Sequence, residues 1–194
     1  MDAQPLINSI CRHVLLSPEE EEAVRKRVES RTLHRKAVLL EPGQICYHST
    51  FVVSGCLRSF LHDRDGVERV LHFAPTGWWI ADMASYITSS PATLTLDALE
   101  DSELLLLSKE GQQELFRISP KFERFFRILV ENSLVTHQRR LLDNLSLPAA
   151  ERYDQFCRRY PTLVQSLPQK QIAAYLGVTP EFLSKLRKEL MRKG

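Results

Sequence analysis

From Leu33 to Ser108 the apolar residues fall in short runs rich in β-branched, Leu and aromatic side chains, cut by turn-forming chemistry. The cuts come at Glu41-Pro42-Gly43-Gln44, Ser54-Gly55, Asp63-Arg64-Asp65-Gly66 and Pro75-Thr76-Gly77. Strands spaced roughly ten residues apart argue for a compact antiparallel β sandwich or barrel. Ahead of it, Ser17-Pro18-Glu19-Glu20 combines an N-cap, a proline at the first helical position and a carboxylate three residues after the cap. That pattern predicts a helix running to about Glu29.

After Ser119 the period changes. Phe126, Val130, Leu134, His137, Leu141 and Leu145 recur at spacings of 4, 4, 3, 4 and 4, one stripe of a continuous helix that Pro148 ends. Phe122, Phe125, Leu129 and Leu142 mark a second apolar side. A helix of about 26 residues is roughly 39 Å long, more than a small barrel needs to cover itself. One side is therefore expected to seat on the barrel and the other to meet a second copy of the chain; burial between two domains of one chain is the alternative. Ala149 to Tyr160 should form a further short helix, broken by Pro161.

The segment from Gln169 to Leu190 reads as helix, tight turn, helix. Ile172 and Leu176 give the first helix an inward face, and Ala173 is small where a second helix must cross closely. Gly177 suits the left-handed position that ends the first helix. Thr179 can cap the next helix, and Pro180 fits its first turn. Leu183, Leu186 and Leu190 are expected to face inward with Val178. The outer side then carries Glu181, Ser184, Lys185 and Lys188, with Arg187, Arg192 and Lys193 beside or beyond it. Such a helix fits the major groove of B-DNA, where Lys donates to guanine and Glu accepts from cytosine. Thr179, Pro180 and Glu181 would approach base edges, Arg187 and Lys188 the phosphates.

Charge sharpens this reading. The chain has 194 residues, 43% hydrophobic and 26% charged, with a formal net charge of +2. Nine basic and four acidic residues lie between Ala149 and Gly194, against seventeen and twenty elsewhere. A basic end on an acidic body suits a polyanionic partner. No long uninterrupted apolar run and no secretory signal is visible, so a soluble, cytoplasmic protein is expected. Cys11, Cys46, Cys56 and Cys157 form no Cys-x-x-Cys pair, and His48, His62 and His72 are scattered. Reduced thiols and no metal or cofactor are expected.

The order of these elements resembles the Crp-Fnr family of transcription regulators across nearly the whole chain. Phe51-Val-Val-Ser-Gly-Cys-Leu-Arg58, the Asp65-Gly66 hairpin, Leu71-His-Phe-Ala-Pro-Thr-Gly77 and Ala98-Leu-Glu-Asp101 look like its cyclic-nucleotide-binding-type β-roll. Leu176-Gly-Val-Thr-Pro-Glu-Phe-Leu-Ser-Lys185 looks like its recognition unit. The resemblance implies an α+β fold with an antiparallel, jelly-roll-like β-roll effector domain, a long dimerisation helix and a small helix-turn-helix domain. Residues 1–117, 118–147 and 148–194 would be these three parts. Little sequence separates Pro161 from Gln169 or follows Leu190, so the β-wing of many relatives is reduced or absent.

Relatives that bind cyclic AMP hold its ribose with a Gly-Glu pair and its phosphate with an Arg followed by Ser or Thr. This chain has Ala81-Asp82 and Ala92-Thr93 instead. Asp82 can accept a ribose hydroxyl, but Ala92 supplies no cation. Trp79, Asp82, Met83, Ala92 and Thr93 are the candidate effector pocket, Trp78 and Trp79 its aromatic floor or ordinary core. The implied partners are double-stranded DNA, a second copy of the chain, an unidentified small-molecule effector and RNA polymerase, with no membrane. A sensor module whose helix-turn-helix meets a protein is the second reading. A β-barrel enzyme ranks last, because no nucleophile–base spacing or ligand triad supports it.

Overall fold

The computed structural model describes residues 2–193; Met1 and Gly194, and the side chains of Met191 and Lys193, lie outside the described residues. The described residues divide into two compact units: those up to Leu61 with Leu71–Val130, and His62–Val70 with those from Glu131 onward.

The first unit opens with helices α1 (Gln4–Cys11) and α2 (Pro18–Arg25). The capping box at α2 forms as its residues predict: Ser17 Oγ accepts from the Glu20 amide, and the Ser17 amide donates to Glu20 Oε2 at 2.7 Å. The helix stops at Arg25, short of Glu29, because the next residues join a sheet. Strand β1 (Val28–Leu33) pairs antiparallel with β8 (Ser102–Ser108), register Val28 to Leu107. Helix α1 goes beyond the sequence reading, although Leu6, Ile7 and Ile10 share one buried face.

Between β1 and β8 lie β2 (Val38–Leu40), β3 (His48–Ser54), β4 (Cys56–His62), β5 (Glu68–Pro75), β6 (Trp79–Ile80), the short helix α3 (Met83–Thr88) and β7 (Thr95–Ala98). Two four-stranded sheets result, ordered β1-β8-β3-β6 and β2-β7-β4-β5. The turn from β3 to β4 requires glycine. Gly55 has φ +90°, and a Cβ there would collide with Ser102 Oγ and the Asp101 carbonyl oxygen.

Strand β8 shows why one face reading is too simple. Leu104 and Leu106 pack between the sheets with Val52, Leu57 and Leu96, while Leu105 and Leu107 turn outward against Leu6, Ile10, Val24 and Phe122. Buried on both faces, the strand is apolar at every one of these positions. Helix α4 (Lys109–Ile118) and the start of α5 (Pro120–Ser146) complete the outer layer through Leu115, Phe122, Phe125 and Phe126.

The second unit holds the rest of α5, then α6 (Ala149–Arg159), α7 (Leu163–Ser166), α8 (Gln169–Leu176) and α9 (Pro180–Lys193). Its centre is aromatic: Phe156, Tyr160 and Tyr175 lie with ring centroids 5.2 to 5.8 Å apart, above Ile172, Ala173 and Leu183. Among the described residues no strand follows β8, so no wing flanks α8 and α9. Among the described residues no helix is long and apolar enough to cross a membrane.

Candidate nucleic-acid interface and effector pocket

Local chemistry builds the helix-turn-helix. Gly177 takes φ +69°, and its amide and that of Val178 both donate to the Ala173 carbonyl, closing α8. Two residues later Thr179 Oγ1 accepts from the Phe182 amide at 3.2 Å and starts α9. Ile172, Ala173 and Leu183 are wholly buried, so the two helices cross through them. Leu186 is only half-buried and Leu190 is 40% exposed, unlike the inward pair expected.

Thr179, Pro180, Glu181, Lys185 and Lys188 are exposed, and Ser184 and Arg187 are half-buried. Glu181, Lys185 and Lys188 fall at helical spacings of four and three, so they share one open side of α9. The arrangement can present one acceptor and two cations to a surface.

Two arginines that the sequence reading missed hold α8 from behind. Arg140 of α5 donates to the Tyr175 carbonyl at 2.7 Å, and Arg152 of α6 donates to the Leu176 carbonyl at 2.9 Å. The Arg140 guanidinium also lies 3.9 Å from the centroid of the Tyr175 ring. Carbonyls at a helix C-terminus lack partners within the helix and carry partial negative charge, which guanidinium groups offset. The nearby His137 imidazole is pushed below its ordinary range by burial and by the charges of Arg140 and Arg159.

Along α5 the expected apolar stripe divides. Phe126 is buried in the first unit, edge-on to Trp79, Phe116 and Phe125, and so belongs to the chain's own core. Val130, Leu134, Leu141 and Leu145 are 50 to 77% exposed, with His137 exposed between them. Leu142, grouped on the second apolar side, is also exposed.

Backbone amides engage the polar group of the candidate effector pocket. Asp82 is buried and caps α3: Oδ1 accepts from the Ser85 amide at 3.1 Å, and Oδ2 from the amides of Thr93 and Leu94 at 3.0 and 3.1 Å. Its lone pairs are therefore engaged within the fold rather than offered to a ribose. Ala92 is buried, its amide donating to the Gln44 carbonyl and its carbonyl accepting from Gly43. Trp79 packs edge-on to Phe51 at 5.4 Å as part of the core, and Trp78 lies against His72 at 5.6 Å. Met83 and Thr93 are exposed.

The remaining candidates for chemistry are dispersed. Cys46 and Cys56 are buried, and burial pushes the Cys56 thiol up to about 12. Cys11 and Cys157 are half-buried free thiols. Among the described residues no three His, Cys, Asp or Glu side chains cluster to hold a metal ion. Arg58 and Asp97 form a bidentate ion pair at 2.8 and 2.9 Å across β4 and β7, which no spacing in the sequence announces.

Residues 30–119 match the family of cyclic nucleotide-binding domains. No curated protein matches the chain in sequence. Among solved structures, CLP of Xanthomonas campestris, described as a c-di-GMP-responsive global regulator, superposes with TM-score 0.72 at 19% identity over 92% of this chain and 93% of its own. FixK2 of Bradyrhizobium japonicum gives 0.71 at 19% identity over 86% of each chain. The catabolite activator protein of Thermus thermophilus gives 0.60 at 22% identity over 96% of this chain and 88% of its own.

Proposed function

We propose that this chain, which has the fold of the Crp-Fnr transcription regulators with a cyclic nucleotide-binding domain at residues 30–119, is itself a sequence-specific DNA-binding regulator acting as a homodimer. The observation that carries the reading is the capped α8–α9 pair, whose second helix leaves Glu181, Lys185 and Lys188 open on one side. Thr179, Pro180, Glu181, Ser184 and Lys185 would meet base edges, and Arg187 and Lys188 phosphates.

The exposed stripe Val130, Leu134, Leu141 and Leu145 supports dimerisation through α5, since four apolar side chains in line on a solvent-facing helix seek a like surface. A two-fold axis along it would present two recognition helices to half-sites about 34 Å apart. Residues 1–117, 118–147 and 148–194 are then the regulatory, dimerisation and DNA-binding parts of a cytoplasmic regulator that is not an enzyme. Contact with RNA polymerase belongs to the same reading.

The β-roll is regulatory in this scheme without taking cyclic AMP. Asp82 spends its carboxylate on three amides, and Ala92 offers no cation to a buried cyclic phosphate. Selection of binding sites from a random duplex library by the full-length protein tests the whole reading. A palindromic consensus with half-sites one helical turn apart supports it; no enrichment at low salt overturns it and favours a protein-binding role for α9.

A further inference from the structure

Beside its open side α9 carries a large apolar side chain that the polar contacts described above leave out. Phe182 is 49% exposed and stands in the first turn of the helix, directly after Glu181 and three residues before Lys185. Residues three apart on a helix are neighbours, so the ring borders the side that Glu181 and Lys185 share. Its backbone is fixed at the cap: the Phe182 amide donates to Thr179 Oγ1 at 3.2 Å, and the Leu183 amide donates to the Thr179 carbonyl at 3.0 Å.

The packing of α9 does not call for this ring. Leu183, the next residue, is the one wholly buried where α9 crosses α8. Phe182 lies about 100° round the helix from it, and about half of its surface stays in water. Apolar surface left in water is unfavourable, and contact with an apolar group of a partner recovers that free energy.

We infer that Phe182 is a specificity-determining residue that packs on the C5 methyl group of a thymine in the major groove; the inference rests on the DNA-binding reading and deepens it. A phenyl ring has no polar donor, so it adds nothing to phosphate contacts or to hydrogen bonds at base edges. The thymine methyl is the apolar group that base edges present in the major groove, and apolar side chains, phenylalanine among them, contact it. The N-terminal residues of a recognition helix approach those edges, and Phe182 is the third residue of α9. Glu181 and Phe182 then divide the readout: one accepts from cytosine N4, and the other selects thymine by shape without a hydrogen bond.

The test uses the full-length protein and a duplex of the selected consensus, with each thymine replaced in turn by deoxyuridine in both half-sites. That exchange removes the methyl group and keeps base pairing and every hydrogen-bonding edge. In anisotropy titrations at one salt concentration, uracil at one position should weaken binding about fourfold per half-site, about fifteenfold for the pair. Phe182→Ala should abolish this difference between thymine and uracil; Phe182→Gln serves should the alanine variant fail to fold, with the same result expected. Tight binding with a flat uracil scan overturns the inference and leaves the DNA-binding reading standing. So does a difference that persists in the folded variant, since Phe182 would then act on α9 and not on the base. A folded variant that binds neither duplex also overturns it, because one methyl contact per half-site cannot carry the whole affinity. Parent protein that binds no duplex at low salt overturns both readings.

Discussion

Arg152 donates to the Leu176 carbonyl at 2.9 Å and to Asn144 Oδ1 at 3.1 Å, tying α6 and the end of α5 to the last residue of α8. With Arg140 on the Tyr175 carbonyl and the Gly177 and Val178 amides on Ala173, the C-terminal end of α8 is closed from outside the helix. The helix-turn-helix is thus held from behind by cations while its second helix stays open in front.

Removing that clasp should loosen α8 first. Arg152→Ala is expected to destabilise the second unit by about 1.5–3 kcal/mol, the range for a hydrogen bond involving a charged group. Hydrogen exchange of the α8 amides checks it. Both bonds leave the single Nη1 nitrogen, so Arg152→Lys, whose ammonium carries three donors on a shorter side chain, should recover part of the loss.

Acid should weaken the first unit through Glu20. A hydrogen bond from Lys121 at 2.8 Å and one from the Ser17 amide hold its carboxyl down at about 2, from an ordinary 4.5. The folded value lies below the unfolded one, so the contribution is present above pH 4.5 and is lost as pH falls towards 2. Lys121 is 44% exposed, so screening reduces the benefit, and Lys121→Met should cost about 1–2 kcal/mol at neutral pH. Urea midpoints for parent and variant should converge at the acid end.

DNA binding should depend on salt in a countable way. With Arg187 and Lys188 each neutralising one phosphate, replacing both with Ala lowers the slope of log affinity against log salt by about 1.8. Anisotropy titrations over a salt series measure it. Glu181→Gln should leave the slope alone and change base preference by about 1–3 kcal/mol at one position.

The exposed stripe of α5 should govern assembly. Leu134 is 66% exposed in the single chain, and Leu134→Glu would place two carboxylates in an apolar seam. The dimer dissociation constant is expected to rise at least about a hundredfold, roughly 2.7 kcal/mol. Sedimentation equilibrium reads the change, and an unaltered dimer would mean that another surface joins the chains.

Asp82 should behave as a cap rather than a ligand. Asp82→Ala leaves the amides of Ser85, Thr93 and Leu94 without their acceptor, and a loss of about 3 kcal/mol or more is expected. Cyclic AMP should give no thermal shift with either the parent protein or this variant.

What the sequence determined by itself is what neighbours along the chain decide among themselves. Ser17 with Glu20 and the Gly177-to-Thr179 turn are each satisfied within a few residues. Their form could therefore be read directly. Tertiary structure decided whatever depends on a distant partner. Helix α2 ends at Arg25 because β8 lies ready to pair with Val28 to Leu33, and helix propensity cannot outweigh a full ladder of non-local hydrogen bonds. Phe126 and Trp79 were legible as large and apolar, but only packing put them against each other in the core. Asp82 looked available until the fold brought two amides eleven and twelve residues away onto one oxygen. Arg140 of α5 and Arg152 of α6 meet the end of α8 only through the fold, and periodicity along a chain carries no information about which helices meet.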